Sequence, residues 1–387
     1  MIFIEKENRT TIETVKRLAR VFKVKRSAIG YAGLKDKRAI TRQHLTVHLP
    51  DPSQDEYLLN RIGHTPIKLL WAARHKNKLK RGHLAGNRFT IKIREVDPGH
   101  VIRAKQSIDR LVATGVPNFL GEQRFGYRQN NHLLGRALLK RDWQAFLDEL
   151  CGKPLPEDPP PTRTGRTAYE AGDYAAALDA WPKQLRHDRQ ALDALRQGKR
   201  GRDAVECVDA QQREFVINAF QSAVFNDLLD ARVRAGLLGQ LVPGDLAWKH
   251  DSRAVFAVDE ATADLENSPE GRVPRFEVSP SGPMWGYAMT QASGQVGQWE
   301  LEALEKYDVS VDDLGAGPYT IDGRRRPMRI QLKDTQVSAG ADEHGPFICL
   351  QFTLPRGSFA TIVTREVIKP DDSATLDGDD DEREDEE

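Results

Sequence analysis

The spacing of apolar and polar residues changes character along the chain. Residues 2–6 form a short strand pattern. Thr10 and Glu13 then have the spacing of a capping box, and Ile12, Val15, Leu18 and Phe22 recur at helical spacing behind it. The other face of this helix carries Lys16, Arg17, Arg20 and Lys23. Residues 28–34 are a strand or turn with two glycines, and Leu45, Val47 and Leu49 alternate as in a half-buried strand. Phe89, Ile91 and Ile93 alternate with Arg88, Thr90, Lys92 and Arg94, which predicts a strand with one apolar and one largely basic face. A helix over 101–114 ends at Gly115.

Beyond residue 118 the pattern differs. The proline-rich run 154–161 is a loop or linker, because consecutive prolines interrupt both helix and central strand. Residues 173–197 are helical in composition with a break at Pro182, and 211–235 form a long helix closed by Gly236. Residues 240–300, punctuated by Gly and Pro, predict short strands and long loops. Strand patterns return at 328–332 and 347–354. Ser358 is then the expected N-cap of a helix through Val367, which places Phe359 on its first turn.

Composition sharpens this picture at one point, the charge. The 387 residues balance to zero net charge, yet residues 371–387 hold eleven acidic groups against one basic group. Residues 1–94 hold 22 Lys and Arg against 7 Asp and Glu. A basic N-terminal quarter predicts a polyanionic partner, with nucleic acid the first candidate, and the acidic tail predicts disorder. No apolar run reaches the roughly 20 residues of a membrane helix, no secretory signal is expected, and three scattered cysteines support neither a disulfide framework nor a zinc site. The expected compartment is a reducing cytoplasm, with no membrane association.

The densest chemistry lies at 30–43, GYAGLKDKRAITRQ. Asp36 stands among Lys35, Lys37, Arg38 and Arg42 behind a glycine-flanked loop. Neighbouring cations favour its ionised form, and such a carboxylate is either a nucleophile or general base toward a nucleic acid, or a surface Asp paired in a turn. A second basic run contains Arg74, Lys76, Lys78 and Lys80, followed by Asn87 and Phe89. Lysines and arginines there suit phosphate contacts, Asn87 can read a base edge, and Phe89 either stacks on a base or packs in the core. Phe359 is likewise core or stacking platform. The glycines match neither a dinucleotide nor a nucleotide-phosphate loop, and the histidines form no metal cluster.

Five ordered blocks resemble the TruD family of tRNA pseudouridine synthases: AGLKDKRAITRQ (32–43), KNKLKRGHLAGNRF (76–89), GVPNFLGEQRFG (115–126), AFQSAVFN (219–226) and LPRGSFATIVTREVI (354–368). The resemblance implies an α+β pseudouridine synthase fold, a mixed and mostly antiparallel sheet with helices. A catalytic domain would span 1–117 and 337–369, an inserted α+β domain 118–336, and an acidic disordered tail 370–387. RNA would lie in the cleft between the two domains. Asp36 falls on the family's catalytic aspartate, and Asn87, Phe89 and Phe359 on substrate-binding positions. Lys35, Lys37, Arg38, Arg74, Lys76, Lys78 and Lys80 become the expected RNA-backbone contacts.

The implied activity is isomerisation of uridine to pseudouridine in tRNA, at position 13 in the D-arm region. The C1′–N1 bond breaks and the base rejoins through C5 without oxidation or hydrolysis, so no cofactor, metal or obligate protein partner is expected. Attack on the sugar and proton removal from it both remain open as the role of the aspartate. Alternatives are a non-catalytic tRNA-binding or tRNA-folding protein of the same fold, and an N-glycosidase. Family members also carry a segment ahead of the strand at 2–6, with a basic residue that pairs with the catalytic aspartate. This sequence begins in that strand: either the true start lies further upstream, or those groups are lost and Lys35 or Arg38 is the expected substitute.

Overall fold

A computed structural model of the chain describes residues 1–368. The acidic segment 370–387 expected to be disordered lies outside the described residues. The chain forms two compact units, which divide inside the strand Gly86–Arg94, between Arg88 and Phe89; residues 355–357 return to the first unit.

The first unit is a four-stranded antiparallel sheet in the order Ile29–Tyr31, Ile40–Val47, Ile2–Glu7, Ile67–Ala72. Period-two alternation sends Ile2, Ile4 and Leu45 to one face, where they meet Val15 and Leu18 of the helix Thr11–Val21, its C-cap Phe22, and Leu58 and Ile62 of the helix Asp55–Ile62. The predicted capping box is present: Thr10 Oγ1 accepts from the Glu13 N–H at 3.1 Å, and Glu13 returns the bond to the Thr10 N–H at 2.7 Å.

The second unit contains three sheets and most of the helices. One sheet has the order Lys333–Asp342, Gly345–Pro355, Gly86–Arg94, and its core face, with Ile348, Leu350 and Phe352, meets the helices Val101–Thr114 and Ala360–Ile368. Val116–Pro117 pairs antiparallel with Arg329–Ile330, so the chain leaves this region at 117 and returns at 329 side by side. The stretch between them holds the helix Ala210–Arg234, whose middle is buried all round; Gly135 on the helix Asn131–Leu139 packs so close that a Cβ there would lie 2.1 Å from the Val216 carbonyl oxygen. A second antiparallel sheet has the order Arg324–Pro327, Val278–Met284, Leu246–Lys249, Val255–Ala257.

Two expectations are corrected. Residues 240–300 contain helices at Glu260–Asn267 and Gly294–Glu305, the first capped by Asp259 accepting from the Thr262 N–H at 2.8 Å. Only Ala263 and Glu266 of that first helix are buried, so it lacks the apolar period that would reveal it. The last helix begins at Ala360, so Ser358 is not its cap and Phe359 stands just ahead of its first turn. Among the described residues no helix is long and apolar enough to cross a membrane.

Candidate active site

Asp36 lies in the loop joining the strands Ile29–Tyr31 and Ile40–Val47, and its side chain is exposed. Three buried polar side chains hold this loop from below. Lys6 follows Ile2 and Ile4 on the inward face of its strand and is 1% exposed. Its Nζ donates to the Asp36 carbonyl oxygen at 3.2 Å and also to the Arg9 carbonyl. Thr11, at 1% exposure, accepts the Lys35 N–H at 2.9 Å and donates its own hydroxyl to Gln43 Oε1 at 2.9 Å. The backbone on both sides of the Lys35–Asp36 peptide is therefore fixed by side chains from the first strand and first helix. Buried polar groups that satisfy one another in this way rigidify what they hold.

Lys6 and Thr11 were not among the residues the sequence pointed to as a site, and Gln43 lay at the end of the block 32–43 without an assigned role. Their signal was a charged residue in phase with Ile2 and Ile4, and a hydroxyl at the start of a helix face that turns inward.

Lys35 extends its ammonium to Asn87 Oδ1, joining the two motif blocks at their chemical centres. Burial pulls its pKa below the ordinary lysine value, and the Asp36 carboxylate opposes this. The expected pairing of Lys35 with Asp36 is thus a through-space attraction, while the hydrogen bond of its ammonium goes to Asn87.

The basic segment folds against the Asp36 loop. The Gly82 N–H donates to the Ala32 carbonyl at 2.8 Å, the Leu79 N–H to Thr46 Oγ1 at 3.0 Å, and Lys78 Nζ to the Ser27 carbonyl. Arg81 Nη2 donates to the Tyr31 hydroxyl at 3.0 Å, with its guanidinium carbon 5.6 Å from the ring centroid. Gly30 is required for this approach, since a Cβ there would stand 2.3 Å from the Leu79 carbonyl oxygen. Arg356 Nη1 adds a bond to the Gly82 carbonyl at 2.9 Å.

The expected RNA-contacting cations are not equivalent. Lys76 and Lys80 are exposed, as is Arg38, and Lys37 is half-buried. Arg74 instead clamps Asp55 with two bonds of 2.7 and 2.6 Å and gives a third to the Leu49 carbonyl, which fills its fork. In the second unit, Phe89 rests on Phe352 with ring centroids 5.6 Å apart, on the edge of the core. Phe359 is half-buried at the same core, and its ring covers Gly121, where a Cβ would lie 3.5 Å from it. Among the described residues no group of three His, Cys, Asp or Glu is placed to hold a metal ion.

The sequence profile of the family described as tRNA pseudouridine synthase D (TruD) matches residues 1–367. The chain is 40% identical to the tRNA pseudouridine synthase D of Geobacter sulfurreducens over 371 residues, covering 95% of this chain and 86% of that one. It is 38% identical to the protein of that name in Syntrophotalea carbinolica over 370 residues, covering 95% and 89%. The fold superimposes on a Methanosarcina mazei crystal structure described by the same name with a TM-score of 0.85 at 28% identity, covering 95% of this chain and 87% of that one. With the α+β architecture agreeing as well as the motif order, the chain belongs to the tRNA pseudouridine synthase D family.

Proposed function

We propose that this chain is a tRNA pseudouridine synthase that isomerises uridine 13, in the D-arm region, with Asp36 as its catalytic carboxylate and no cofactor. The observation that carries the reading is the Asp36 loop itself. An exposed carboxylate, flanked by Lys35, Lys37 and Arg38, stands on a backbone clamped by Lys6 and Thr11. Rigid presentation of one reactive group is what a reaction without an external reagent requires.

The chemistry is balanced within the nucleotide. The C1′–N1 bond breaks, the base turns, a C5–C1′ bond forms, the C5 proton is lost to solvent and N1 takes up a proton in its place. Asp36 either attacks C1′ and is displaced again when C5 bonds there, or takes a sugar proton to labilise the first bond and returns it afterwards. Asn87, oriented by the Lys35 ammonium on its Oδ1, keeps its amide N–H groups for an oxygen of the uracil. Phe89 and Phe359 retain the substrate-binding role implied by their motifs, as aromatic surface for an unstacked base. Lys76 and Lys80 supply backbone affinity.

The domain reading follows the same logic: 1–117 with 337–369 as catalytic domain and 118–336 as insertion. The antiparallel pair at 116–117 and 329–330, where the chain exits and re-enters, supports it. The cytoplasm is the proposed compartment, because tRNA is the proposed substrate.

A single-turnover tritium-release assay on unmodified tRNA labelled at uracil C5 tests the reading. The parent is expected to release tritium and Asp36→Asn to release none while still binding tRNA. Binding without release by the parent would replace the enzyme with a tRNA-binding protein, and free uracil in the products would make it a glycosidase.

A further inference from the structure

Buried arginines in the second unit are as a rule given a carboxylate. Arg232 meets Asp245 at 2.8 and 2.6 Å, and Arg325 meets Glu300 at 2.8 and 2.6 Å. Desolvating a guanidinium without an anion is costly, so this pairing is the expected arrangement.

Arg329 departs from it, held by the Ser279 hydroxyl and the Thr114, Val273 and Val278 carbonyl oxygens alone, and so does a separate group of three less buried arginines. Arg324 and Arg326 are two residues apart on the strand Arg324–Pro327 and so share one face, while Arg325 points the other way to Glu300. Arg326 donates to Asn118, at 2.6 Å to Oδ1 and 3.2 Å to the carbonyl, and lies over the Phe225 ring with its guanidinium carbon 5.6 Å from the centroid. Asn118 is itself tied to this strand end. Its Nδ2 donates to the Pro327 carbonyl at 2.8 Å and its N–H to the Met328 carbonyl at 2.8 Å. The turn that starts at Asn118 carries Arg124 in the short helix Glu122–Phe125. Arg124 has a fixed backbone, with its N–H on the Gly121 carbonyl at 3.1 Å and its carbonyl accepting Asn131 Nδ2 at 3.1 Å.

The side chains of Arg124 and Arg324 have no hydrogen-bond or ion-pair partner among the described residues, and Arg326 has only the neutral Asn118. Arg124 is half-buried. Burial first, and then the neighbouring guanidiniums, push Arg124 below its ordinary value and Arg326 down to about 10. Three like charges with no counter-charge are self-repelling, and an anion would relieve all three at once.

We infer that Arg124, Arg324 and Arg326 form a binding site for a phosphodiester of the RNA substrate, adjoining the nucleotide held at Phe359. The placement comes from Gly121. Its carbonyl holds the Arg124 N–H, and the Phe359 ring covers its Cα. Guanidinium forks match the paired non-bridging oxygens of a phosphate, which a carboxylate-free cluster leaves unopposed. The inference rests on the proposed function for the identity of the nucleic acid.

The test uses the full chain and unmodified tRNA in filter binding across a salt series. Arg124→Gln and Arg324→Gln are compared with Arg234→Gln, an exposed arginine paired with Asp230 on its own helix. Each site variant is expected to bind about tenfold more weakly at 0.15 M salt and to lose on the order of one unit of salt slope, as one lost phosphate contact does. The control is expected to move neither. A tRNA with one uncharged methylphosphonate linkage beside the target uridine should bind the parent about tenfold more weakly and Arg124→Gln no more weakly still. Equal losses for both proteins on that tRNA, or site variants that behave like the control, would overturn the inference. Inorganic phosphate is the second probe. A thermal upshift of the parent by phosphate, absent in Arg124→Gln, with unchanged tRNA salt slopes would assign the cluster to a free anion and equally overturn it. Tritium release is scored in parallel. Release with unaltered slopes removes the phosphate site and keeps the enzyme, and altered slopes without release do the reverse.

Discussion

Lys6 Nζ donates a hydrogen bond to the backbone carbonyl oxygen of Asp36 at 3.2 Å, thirty residues away in sequence. A lysine in phase with Ile2 and Ile4 thus spends its charge beneath the loop that presents the Asp36 carboxylate outward. Lys6→Met keeps the stem and removes the ammonium. Single-turnover rate on tRNA is expected to fall about 100-fold, the cost of a displacement near 1 Å in a reacting group. tRNA affinity should change less than threefold. An affinity loss equal to the rate loss would show that Lys6 binds RNA and does not position Asp36.

Thr11 holds the other side of the same peptide. Thr11→Val would leave the Lys35 N–H and Gln43 Oε1 without their buried partner, costing about 1–3 kcal/mol by urea unfolding. Thr11→Ser keeps the hydroxyl and should recover most of that loss. If Val and Ser are equally stable, the hydroxyl bridge contributes nothing.

Gly30 sets the approach of the basic segment. A Cβ at that position meets the Leu79 carbonyl oxygen at 2.3 Å and Thr46 Oγ1 at 2.6 Å, and the first of these is backbone. Gly30→Ala is expected to destabilise the chain by about 1–3 kcal/mol and to weaken tRNA binding as the segment is pushed away. Unchanged melting temperature and affinity would show that the segment is held more loosely than its hydrogen bonds suggest.

His132 predicts a pH dependence. Its ring meets Phe125 and Tyr307 edge-on at centroid distances of 5.7 and 6.1 Å, and its Nδ1 is buried with no partner. Burial lowers its pKa, against the opposing pull of Asp227 and Glu149. The unfolded chain therefore binds the proton more readily than the folded one. The stability contributed is complete above the unfolded value near 6.5 and is lost as pH falls through the lowered folded value. Denaturant midpoints measured from pH 7.5 to 5 should decline, and decline less in His132→Phe. Parallel profiles for the two proteins would assign the acid sensitivity elsewhere.

The α+β class was legible in the sequence, and Asp36, Asn87, Phe89 and Phe359 could be named as candidates because each sits in a short ordered block, and a block is local. The partner of Lys35 was not, because its link to Asn87 spans 52 residues and depends on how two segments meet. Arg74 looked like one more phosphate contact within a basic run, yet Asp55 occupies its fork. Nothing in a charge count distinguishes the two. The helix Glu260–Asn267 was missed because its burial rests on two residues and leaves almost no period to detect. Ser358 has a capping side chain, but the turn at Pro355–Gly357 delays the helix to Ala360.

By itself, then, the sequence determined what depends on neighbours along the chain: the capping box at Thr10, the alternation of Phe89, Ile91 and Ile93, the basic quarter and the charged loop of Asp36. Only the tertiary structure decided which of those charges are already satisfied within the protein. It turned Lys6 inward to serve a carbonyl, closed Arg74 on Asp55, and left Arg124, Arg324 and Arg326 together without a counter-ion among the described residues. The reason is physical. Hydrogen bonds and desolvation act over a few ångströms in space, and a linear pattern records which side chains exist but not which ones meet.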